Sequence, residues 1–166
     1  MLTKSTIASE LEWAKDLPAR ISRNADLGDS IMTAAVLAPF SDHPVMLADL
    51  GRLRVQETER VAALRTELTR CGARVSEEGD TLTILSSAKD LHGAEVETYG
   101  DHRMAMSFAI LGLQVAGIKI KDPACVKKTF PNFFQKLAAV PPHGLGIAIK
   151  NGHTGRSVEI NELFAE

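Results

Sequence analysis

Two stretches of almost wholly apolar sequence are each introduced by an aspartate. Residues 29 to 38 (DSIMTAAVLA) predict a helix that Asp29 caps and that ends at the following proline. Residues 101 to 111 (DHRMAMSFAIL) follow the same pattern, with Asp101 in front. Because apolar side chains cover nearly the whole circumference of both helices, we expect both to be buried between sheets.

The residues after the first of these helices predict a strand, a helix and a hairpin. A strand is expected at 45 to 50, and the apolar spacing of residues 57 to 70 predicts an amphipathic helix that Gly72 ends. Two short strands then flank Gly79 and Asp80, a pair of residues typical of tight turns.

The same order of elements recurs with an offset of 72 residues, which takes Asp29 to Asp101 and Gly72 to Gly144. With a leading strand before each buried helix, the unit is β-α-β-α-β-β, at about 19 to 87 and again at about 93 to 161. Low identity between the halves leaves chance alignment as an alternative. The prediction is an α/β (α+β) fold in which buried helices run parallel, with a single domain over residues 1 to 166.

The two ends of the chain are less patterned. Residues 5 to 17 predict an amphipathic helix that carries no chemistry. At the other end, residues 146 to 150 and 156 to 160 predict a hairpin around the sequence NGHTG, which would complete the second unit. The loop NGHTGR also has the composition of a phosphate-binding loop, but the hairpin turn is the preferred interpretation.

Composition excludes several classes of partner. The formal net charge of -2 offers no basic excess for nucleic acid, and 5% aromatic residues do not make a base-stacking surface. No apolar run approaches the length of about 18 residues that a membrane span needs, and residues 1 to 20 contain no apolar stretch like that of a signal peptide. Cys71 and Cys125 have neither metal-ligand nor disulfide spacing and are interpreted as small core residues. We therefore expect a cytoplasmic protein.

Charged residues gather where the predicted helices begin. The four stretches are Asp29, residues 51 to 60, residues 101 to 103 and residues 121 to 131. If the helices are parallel, their positive ends converge and favour an anion. Six side chains would add full positive charges: Arg52, Arg54, Arg60, Arg103, Lys127 and Lys128. We expect a phosphorylated or carboxylated small ligand, with Asp29 and Glu57 as candidates for proton transfer.

Each of these residues also has a purely structural interpretation. Asp29 and Asp101 are ordinary helix caps, and Glu57 with Arg60 has the spacing of a surface ion pair. Taken alone, His102 is a structural residue and the two lysines are solvated. The functional interpretation depends on all four clusters falling at equivalent ends.

Three motifs carry a resemblance to a known family. The sequences LRVQETERVAAL (53 to 64), DHRMAMSFAILGL (101 to 113) and KKTFPNFF (127 to 134) occur in that order. They closely resemble the C-terminal half of the 5-enolpyruvylshikimate-3-phosphate synthase (3-phosphoshikimate 1-carboxyvinyltransferase) family. The resemblance runs from about residue 25 to residue 137.

The resemblance implies two similar domains built from β-α-β-α-β-β units, the inside-out α/β fold of enolpyruvyl transferases, with the active site in the cleft between them. It implies transfer of the enolpyruvyl group of phosphoenolpyruvate to the 5-hydroxyl of shikimate 3-phosphate, a step of the shikimate pathway. That pathway leads to chorismate and the aromatic amino acids. The reaction uses neither a metal nor an organic cofactor and passes through a tetrahedral intermediate.

The resemblance also implies roles for individual residues. Asp29 matches the aspartate that contacts shikimate hydroxyls and acts as a base, and Glu57 matches the acid beside the phosphoenolpyruvate methylene. The cations that grip phosphoenolpyruvate match Arg60, Arg103 and Lys128, with His102 beside them. Such donors suit a substrate with about three negative charges.

Two substitutions depart from the family pattern. Gln56 stands where the family usually has a lysine that binds substrate and transfers protons. Glutamine still donates hydrogen bonds but holds no positive charge. Arg52 stands where asparagine is usual and could restore a charge nearby, but its guanidinium titrates too high to move protons.

The chain also departs from the family in extent. It is less than half the usual length, so we expect a partial enzyme that needs the missing N-terminal domain in cis or in trans. Family chains end soon after the motif at 127 to 134, whereas this chain continues to residue 166. Two alternatives remain: the related enzyme that transfers enolpyruvyl to a nucleotide sugar, and a non-catalytic homologue that binds anions or docks a partner.

Overall fold

Strands and helices alternate along the chain in the order that the apolar pattern predicts. The structure is a computed structural model and describes residues 12 to 165. The helices are α1 (Glu12–Lys15), α2 (Ile31–Leu37), α3 (Arg60–Arg70), α4 (His102–Gly112) and α5 (Phe133–Ala138). The strands are β1 (Arg20–Ser22), β2 (Val45–Ala48), β3 (Arg74–Glu78), β4 (Thr81–Leu85), β5 (Glu95–Val96) and β6 (Lys119–Ile120). The predicted mixed α/β fold is confirmed.

The first sheet has the strand order β1-β2-β4-β3. Strand β1 runs parallel to β2, with Ile21 opposite Leu47, and the β3–β4 hairpin joins the other edge of β2 antiparallel. The hairpin turns at Gly79, whose φ of 53° lies in the region that favours glycine, as the sequence predicted. Alternate side chains of β4, Leu82 and Ile84, face the core.

The core lies between this sheet and a pair of packed helices. Helix α2 is buried over all its residues except Thr33, and it packs against α4. Both helices belong to one apolar cluster with α3 and the first sheet. The near absence of polar residues on α2 is therefore explained by burial on all sides.

The helix starts agree with the sequence in one case and differ in two. Asp101 caps α4 by accepting a hydrogen bond from the Arg103 backbone N–H. The prediction that Asp29 caps α2 is wrong, since Ser30 precedes α2 and the Asp29 carboxylate binds side chains instead. Helix α3 begins at Arg60, not at residue 57, because Glu59 caps it at the Ala62 N–H.

Gly72 ends α3 as predicted. Its φ is 92°, and a Cβ at this position would lie 2.2 Å from the Asp90 carbonyl oxygen, so both conformation and space require glycine. Cys71, the last residue before it, is buried, and burial raises the pKa of its thiol to about 11. Its interpretation as a small core residue is confirmed.

The second half of the chain builds a smaller sheet, in which β5 runs parallel to β6. The predicted tail hairpin is present in a short form, in which the Val158 N–H donates to the Ile149 carbonyl and the Asn151 N–H to the Arg156 carbonyl. Lys150 bridges Ser157, and the side chain of Asn151 accepts hydrogen bonds from the His153 and Thr154 N–H groups. Among the described residues the hairpin does not pair with β6, so the second sheet contains β5 and β6 without the tail.

The tail packs on α5 instead. Its residues Ile149, Leu163 and Ala165 contact a second apolar cluster that includes Phe134 and Leu137. A cavity of about 630 Å³ lies between this tail and β6. Part of the predicted helix at 5 to 17 lies outside the described residues, and α1 falls within its remainder. Across residues 12 to 165, helices are too short or too polar to cross a membrane.

Candidate active site

Four separate parts of the chain meet beside the starts of α3 and α4. They are the turn before α2, the loop before α3, the first turn of α4 and the short helical turn Pro123–Lys128. Seven of the residues named above gather there in two contact groups: Gln56, Arg60 and Arg103 lie around Asp29, and His102 and Lys128 contact Glu57. Asp101 joins the groups, since it binds Arg60 and lies 4.0 Å from His102 Nδ1. The convergence predicted from the repeat is therefore observed.

Arg60 is held at the base of the cluster by Asp101. Its Nε donates to Asp101 Oδ2 at 2.6 Å and its Nη2 to Oδ1 at 3.2 Å, while the two side chains are 2% and 0% exposed. A bidentate pair satisfies both charges, which burial would otherwise make costly. The remaining amino group, Nη1, points to Gln56 Oε1 at 2.7 Å. Arg60 is thus a fixed, nearly inaccessible cation beneath the site.

Asp29 lies among three guanidinium groups. Arg23 Nη2 donates to its Oδ1 at 2.7 Å, and Arg60 Nη1 and Arg103 Nε each lie 3.5 Å from its Oδ2. Gln56 Nε2 also donates to Oδ2, at 3.2 Å. Burial raises the pKa of Asp29, but these hydrogen bonds and the Arg103 charge outweigh it and hold the pKa below its ordinary value.

Glu57 connects a histidine to a lysine. Its Oε2 lies 3.0 Å from His102 Nδ1, and its Oε1 accepts a hydrogen bond from Lys128 Nζ. Burial raises the pKa of Glu57, whereas the Lys128 hydrogen bond and the His102 charge outweigh it and keep the pKa below its ordinary value. Glu57 therefore stays ionised at neutral pH, with two groups that can exchange a proton with it directly.

Accessibility separates the cations of the cluster into two kinds. The side chains of Arg103 and Lys128 are 36% and 63% exposed, whereas Arg60 and His102 are almost covered. An anion arriving from solvent would meet Arg103 and Lys128 first, because a guanidinium and an ammonium bind carboxylate and phosphate oxygens. The arrangement can hold an anion between fixed donors and supply carboxylates for proton transfer.

Three predicted cations do not join the cluster. Arg52 lines a separate cavity of about 370 Å³ with Arg20 and Asp49, so the expected restoration of charge next to Gln56 is not observed. Arg54 bonds to carboxylates outside the cluster. Lys127 lies exposed beside Lys128. The sequence did not distinguish Arg54 from the site cations, because its partners Glu77 and Asp80 are 23 and 26 residues away.

One residue of the cluster, Arg23, was missed by the sequence. It follows β1 directly, and the carboxyl end of a parallel strand is where binding residues gather in α/β folds. That position was the only available signal. Its guanidinium reaches Asp29 with both Nε and Nη2.

A metal is not required to explain the acidic residues. Ligand atoms of Glu57, Asp101 and His102 lie within 4.8 Å of one another, which is close enough for a shared ion. However, Arg60 binds both oxygens of Asp101, and Glu57 is shared by Lys128 and His102. Ion pairs thus account for the cluster.

Known proteins provide an independent comparison. Residues 17 to 137 match the model of the EPSP synthase (3-phosphoshikimate 1-carboxyvinyltransferase) family. A 3-phosphoshikimate 1-carboxyvinyltransferase of Nostoc punctiforme is 46% identical over 112 residues, which cover 68% of this chain and 26% of that protein. The chloroplastic enzyme of Arabidopsis thaliana is 44% identical over 115 residues, covering 69% of this chain and 22% of its own length.

Solved structures show the same likeness. An EPSP synthase from Acinetobacter baumannii superposes with a TM-score of 0.59 at 29% identity, over 65% of this chain and 26% of that chain. Its inside-out α/β fold is the fold class expected here. The chain spans about a quarter of the length of these relatives. Since the family model matches well over half of its residues, the chain belongs to the EPSP synthase family.

Proposed function

We propose that this chain supplies the phosphoenolpyruvate-binding side of a 3-phosphoshikimate 1-carboxyvinyltransferase. The enzyme would transfer the enolpyruvyl group of phosphoenolpyruvate to shikimate 3-phosphate in the shikimate pathway. One observation carries the proposal: every site residue expected from the motifs, except Arg52, belongs to one of two adjoining contact groups. Asp101 joins the two groups, because it binds Arg60 and its Oδ1 lies 4.0 Å from His102 Nδ1. The names and motifs of the relatives support the reaction class.

Phosphoenolpyruvate would bind to the accessible cations. Arg103 and Lys128 are the exposed donors, and Arg60 adds positive charge from below. In the free protein Asp29 and Glu57 compensate these charges. The bound substrate would replace part of that compensation, so its affinity reflects a competition between its own charges and the carboxylates.

Glu57 would donate a proton to the methylene carbon of phosphoenolpyruvate and later accept one from it. The substrate hydroxyl adds to C2 of phosphoenolpyruvate while C3 takes a proton, and loss of phosphate with that proton restores the double bond. Because Glu57 is held ionised, each proton it delivers would first come from His102 or Lys128, which both touch it.

Asp29 would accept the proton of the attacking hydroxyl. Its Oδ2 faces Gln56, Arg60 and Arg103 at 3.2 to 3.5 Å, contacts loose enough for a hydroxyl to enter. A pKa below the ordinary value keeps the Asp29 carboxylate deprotonated before the hydroxyl arrives, although it also makes that carboxylate a weaker base. The chain would require no organic cofactor or metal for these steps.

The remainder of the active site would come from a further domain, in cis or in trans. The division of this chain into two units, at about 19 to 87 and 93 to 161, stays a prediction, as does its place in the cytoplasm. Complementation tests the proposal: the chain is mixed with the N-terminal part of the Nostoc punctiforme relative, and phosphate release is measured with both substrates. We expect turnover only in the mixture. Full turnover by the chain alone, or none in a mixture shown to associate, would contradict it.

A second candidate function is favoured by Gln56. A glutamine in place of the family lysine is compatible with a homologue that binds anions or docks a partner without catalysis. Its Oε1 accepts from Arg60 and its Nε2 donates to Asp29, so it links the two residues without adding charge. The variant Gln56→Lys distinguishes the candidates. Increased turnover in the complementation assay supports a catalytic role, whereas unchanged turnover and unchanged phosphoenolpyruvate affinity support the non-catalytic one.

A further inference from the structure

Arg23 makes the shortest contact to Asp29 in the cluster. Its Nη2 and Nε donate to the same oxygen, Oδ1, at 2.7 and 3.2 Å. The other neighbours of Asp29 approach Oδ2 and lie 3.2 Å away or more. Arg23 therefore anchors one oxygen and leaves the other turned toward Gln56, Arg60 and Arg103.

The turn that carries Arg23 is itself fixed. The Ser22 hydroxyl donates to Asp49 and accepts from the Ala25 N–H, and the Ser22 N–H donates to Asp26. The Gly28 N–H then closes the turn on the Arg23 carbonyl. The Arg23 side chain is only 12% exposed and is further held by Asn24 Oδ1 at 3.2 Å. Arg23 is thus placed by its surroundings before any ligand binds.

Without Arg23, Asp29 would have a competing partner. Arg103 lies 3.5 Å from Oδ2 and is the more exposed of the two arginines, so it can move to form a closer pair. Such a pair would occupy Arg103, one of the two accessible cations. It would also turn the base away from the place where a substrate hydroxyl enters.

We infer that Arg23 is a positioning residue, which holds Asp29 by one oxygen so that Oδ2 serves as the base and Arg103 stays available for the anionic substrate. The functional part of this inference rests on the proposed function. The geometric part concerns only Arg23 and Asp29. Charged groups that face Asp29 come from three elements, namely the turn after β1, helix α3 and helix α4, as Arg23, Arg60 and Arg103.

The test uses the whole chain with Arg23→Met and Arg23→Lys. Carbon-13 NMR titration of the Asp29 carboxyl gives its pKa, which we expect to rise in Arg23→Met, because burial then opposes ionisation with less compensation. Arg23→Lys should restore most of the change, since it keeps a positive charge near Oδ1. The exposed Arg20→Met is the matched control and should leave the pKa of Asp29 unchanged.

A double-mutant cycle separates positioning from direct binding. Calorimetry with phosphoenolpyruvate should show several-fold weaker binding for Arg23→Met, and no further weakening when Arg23→Met is added to Asp29→Asn. An unchanged pKa of Asp29 in a folded Arg23→Met protein overturns the inference. Equal weakening in both backgrounds also overturns it, because Arg23 would then act without Asp29. If wild-type protein binds no phosphoenolpyruvate, the proposed function fails, while the titration still decides the role of Arg23.

Discussion

Arg54 and Asp29 are opposite versions of one arrangement. Arg54 lies among three carboxylates, those of Glu59, Glu77 and Asp80, at 2.6, 2.8 and 2.9 Å. Asp29 lies among three guanidinium groups, only one of which is closer than 3.5 Å. The two centres flank the same loop before α3, and their side chains are similarly covered, at 25% and 18% exposure.

The difference between them lies in how completely each centre is satisfied. Arg54 binds all its partners at short distances and ties the loop to the β3–β4 hairpin, which leaves no donor fork free for a ligand. The pKa of Arg54 is accordingly raised, chiefly by Glu77. Asp29 keeps one oxygen in long contacts that a substrate can replace. A charged group whose partners all lie at short distances stabilises the fold, whereas one with long contacts can exchange them for contacts to a ligand.

The largest expected effect is a loss of stability when the Arg54 centre is removed. Arg54→Met should lower the free energy of unfolding by about 2–3 kcal/mol, somewhat less than a fully buried pair, because three carboxylates lose their common partner. Urea unfolding measures this. Arg65→Met is the control. Arg65 is 49% exposed, and of the three carboxylates that surround Arg54 it pairs with Glu77 alone, at 3.2 Å. Its cost should stay below about 1 kcal/mol, and equal costs for the two variants would contradict the distinction.

A substitution at the candidate site should instead change the affinity for phosphoenolpyruvate and leave stability nearly unchanged. Lys128→Met should weaken phosphoenolpyruvate binding by about tenfold, the equivalent of one charge-assisted hydrogen bond. Its urea midpoint should change little, because Lys128 is 63% exposed. Calorimetric titration measures the affinity, with the neighbouring Lys127→Met as the control that should bind as the wild type does. A loss of the same size in both variants would indicate only a general effect of net charge.

Removing the carboxylate of Asp29 should strengthen phosphoenolpyruvate binding, whereas removing the ammonium of Lys128 should weaken it. Asp29→Asn takes away a negative charge that competes with the substrate for Arg103, so phosphoenolpyruvate affinity should rise about threefold. Turnover in the complementation assay should nevertheless be lost with the base. Asp80→Asn, at the Arg54 centre, should leave the affinity unchanged. If Asp29→Asn weakens binding instead, the carboxylate supports the substrate and does not compete with it.

The smallest effect concerns acid stability. The pKa values of Asp29 and Glu57 lie below their ordinary values of 3.8 and 4.5, so each carboxylate binds protons less readily in the folded than in the unfolded chain. The two ionised carboxylates therefore contribute to the free energy of unfolding at pH values above their ordinary pKa values. This contribution is lost as the pH falls through their lower pKa values in the folded chain. The free energy of unfolding, measured with urea at pH 6 and at pH 3, should fall less for the double variant Asp29→Asn, Glu57→Gln than for the wild type. An equal loss would mean that neither carboxylate is stabilised by folding.

Local signals made much of this fold predictable. The Asp101 cap, the glycine that ends α3 and the hairpin at Gly79 each depend on neighbours within a few residues, and each prediction is confirmed. The roles of Asp29 and Arg54 depend on contacts that the sequence does not reveal. Arg54 meets Glu77 only because the β3–β4 hairpin returns beside the loop, 23 residues later. Their positions at the predicted helix starts assigned both to the same anion site.

The motifs predicted which residues converge, but not how accessible they are. The motifs imply that Arg60 binds the substrate, but they did not show that it bonds to Asp101, 41 residues away, or that it is 2% exposed. The repeat position of the tail predicted a hairpin that completes the second unit, but it did not predict that the apolar residues of the tail pack on α5. Packing of this kind depends on the whole structure, so a pattern of residue types does not determine it.

The central claim is that the centre around Asp29 is an anion site in which Arg103 is one of two accessible donors, the other being Lys128. Calorimetric titration of phosphoenolpyruvate into the wild type and Arg103→Met at pH 7 tests it most directly. We predict measurable binding by the wild type and at least about tenfold weaker binding by Arg103→Met, with the same urea midpoint for both. Equal affinities, or no binding by a folded wild-type chain, would contradict the account.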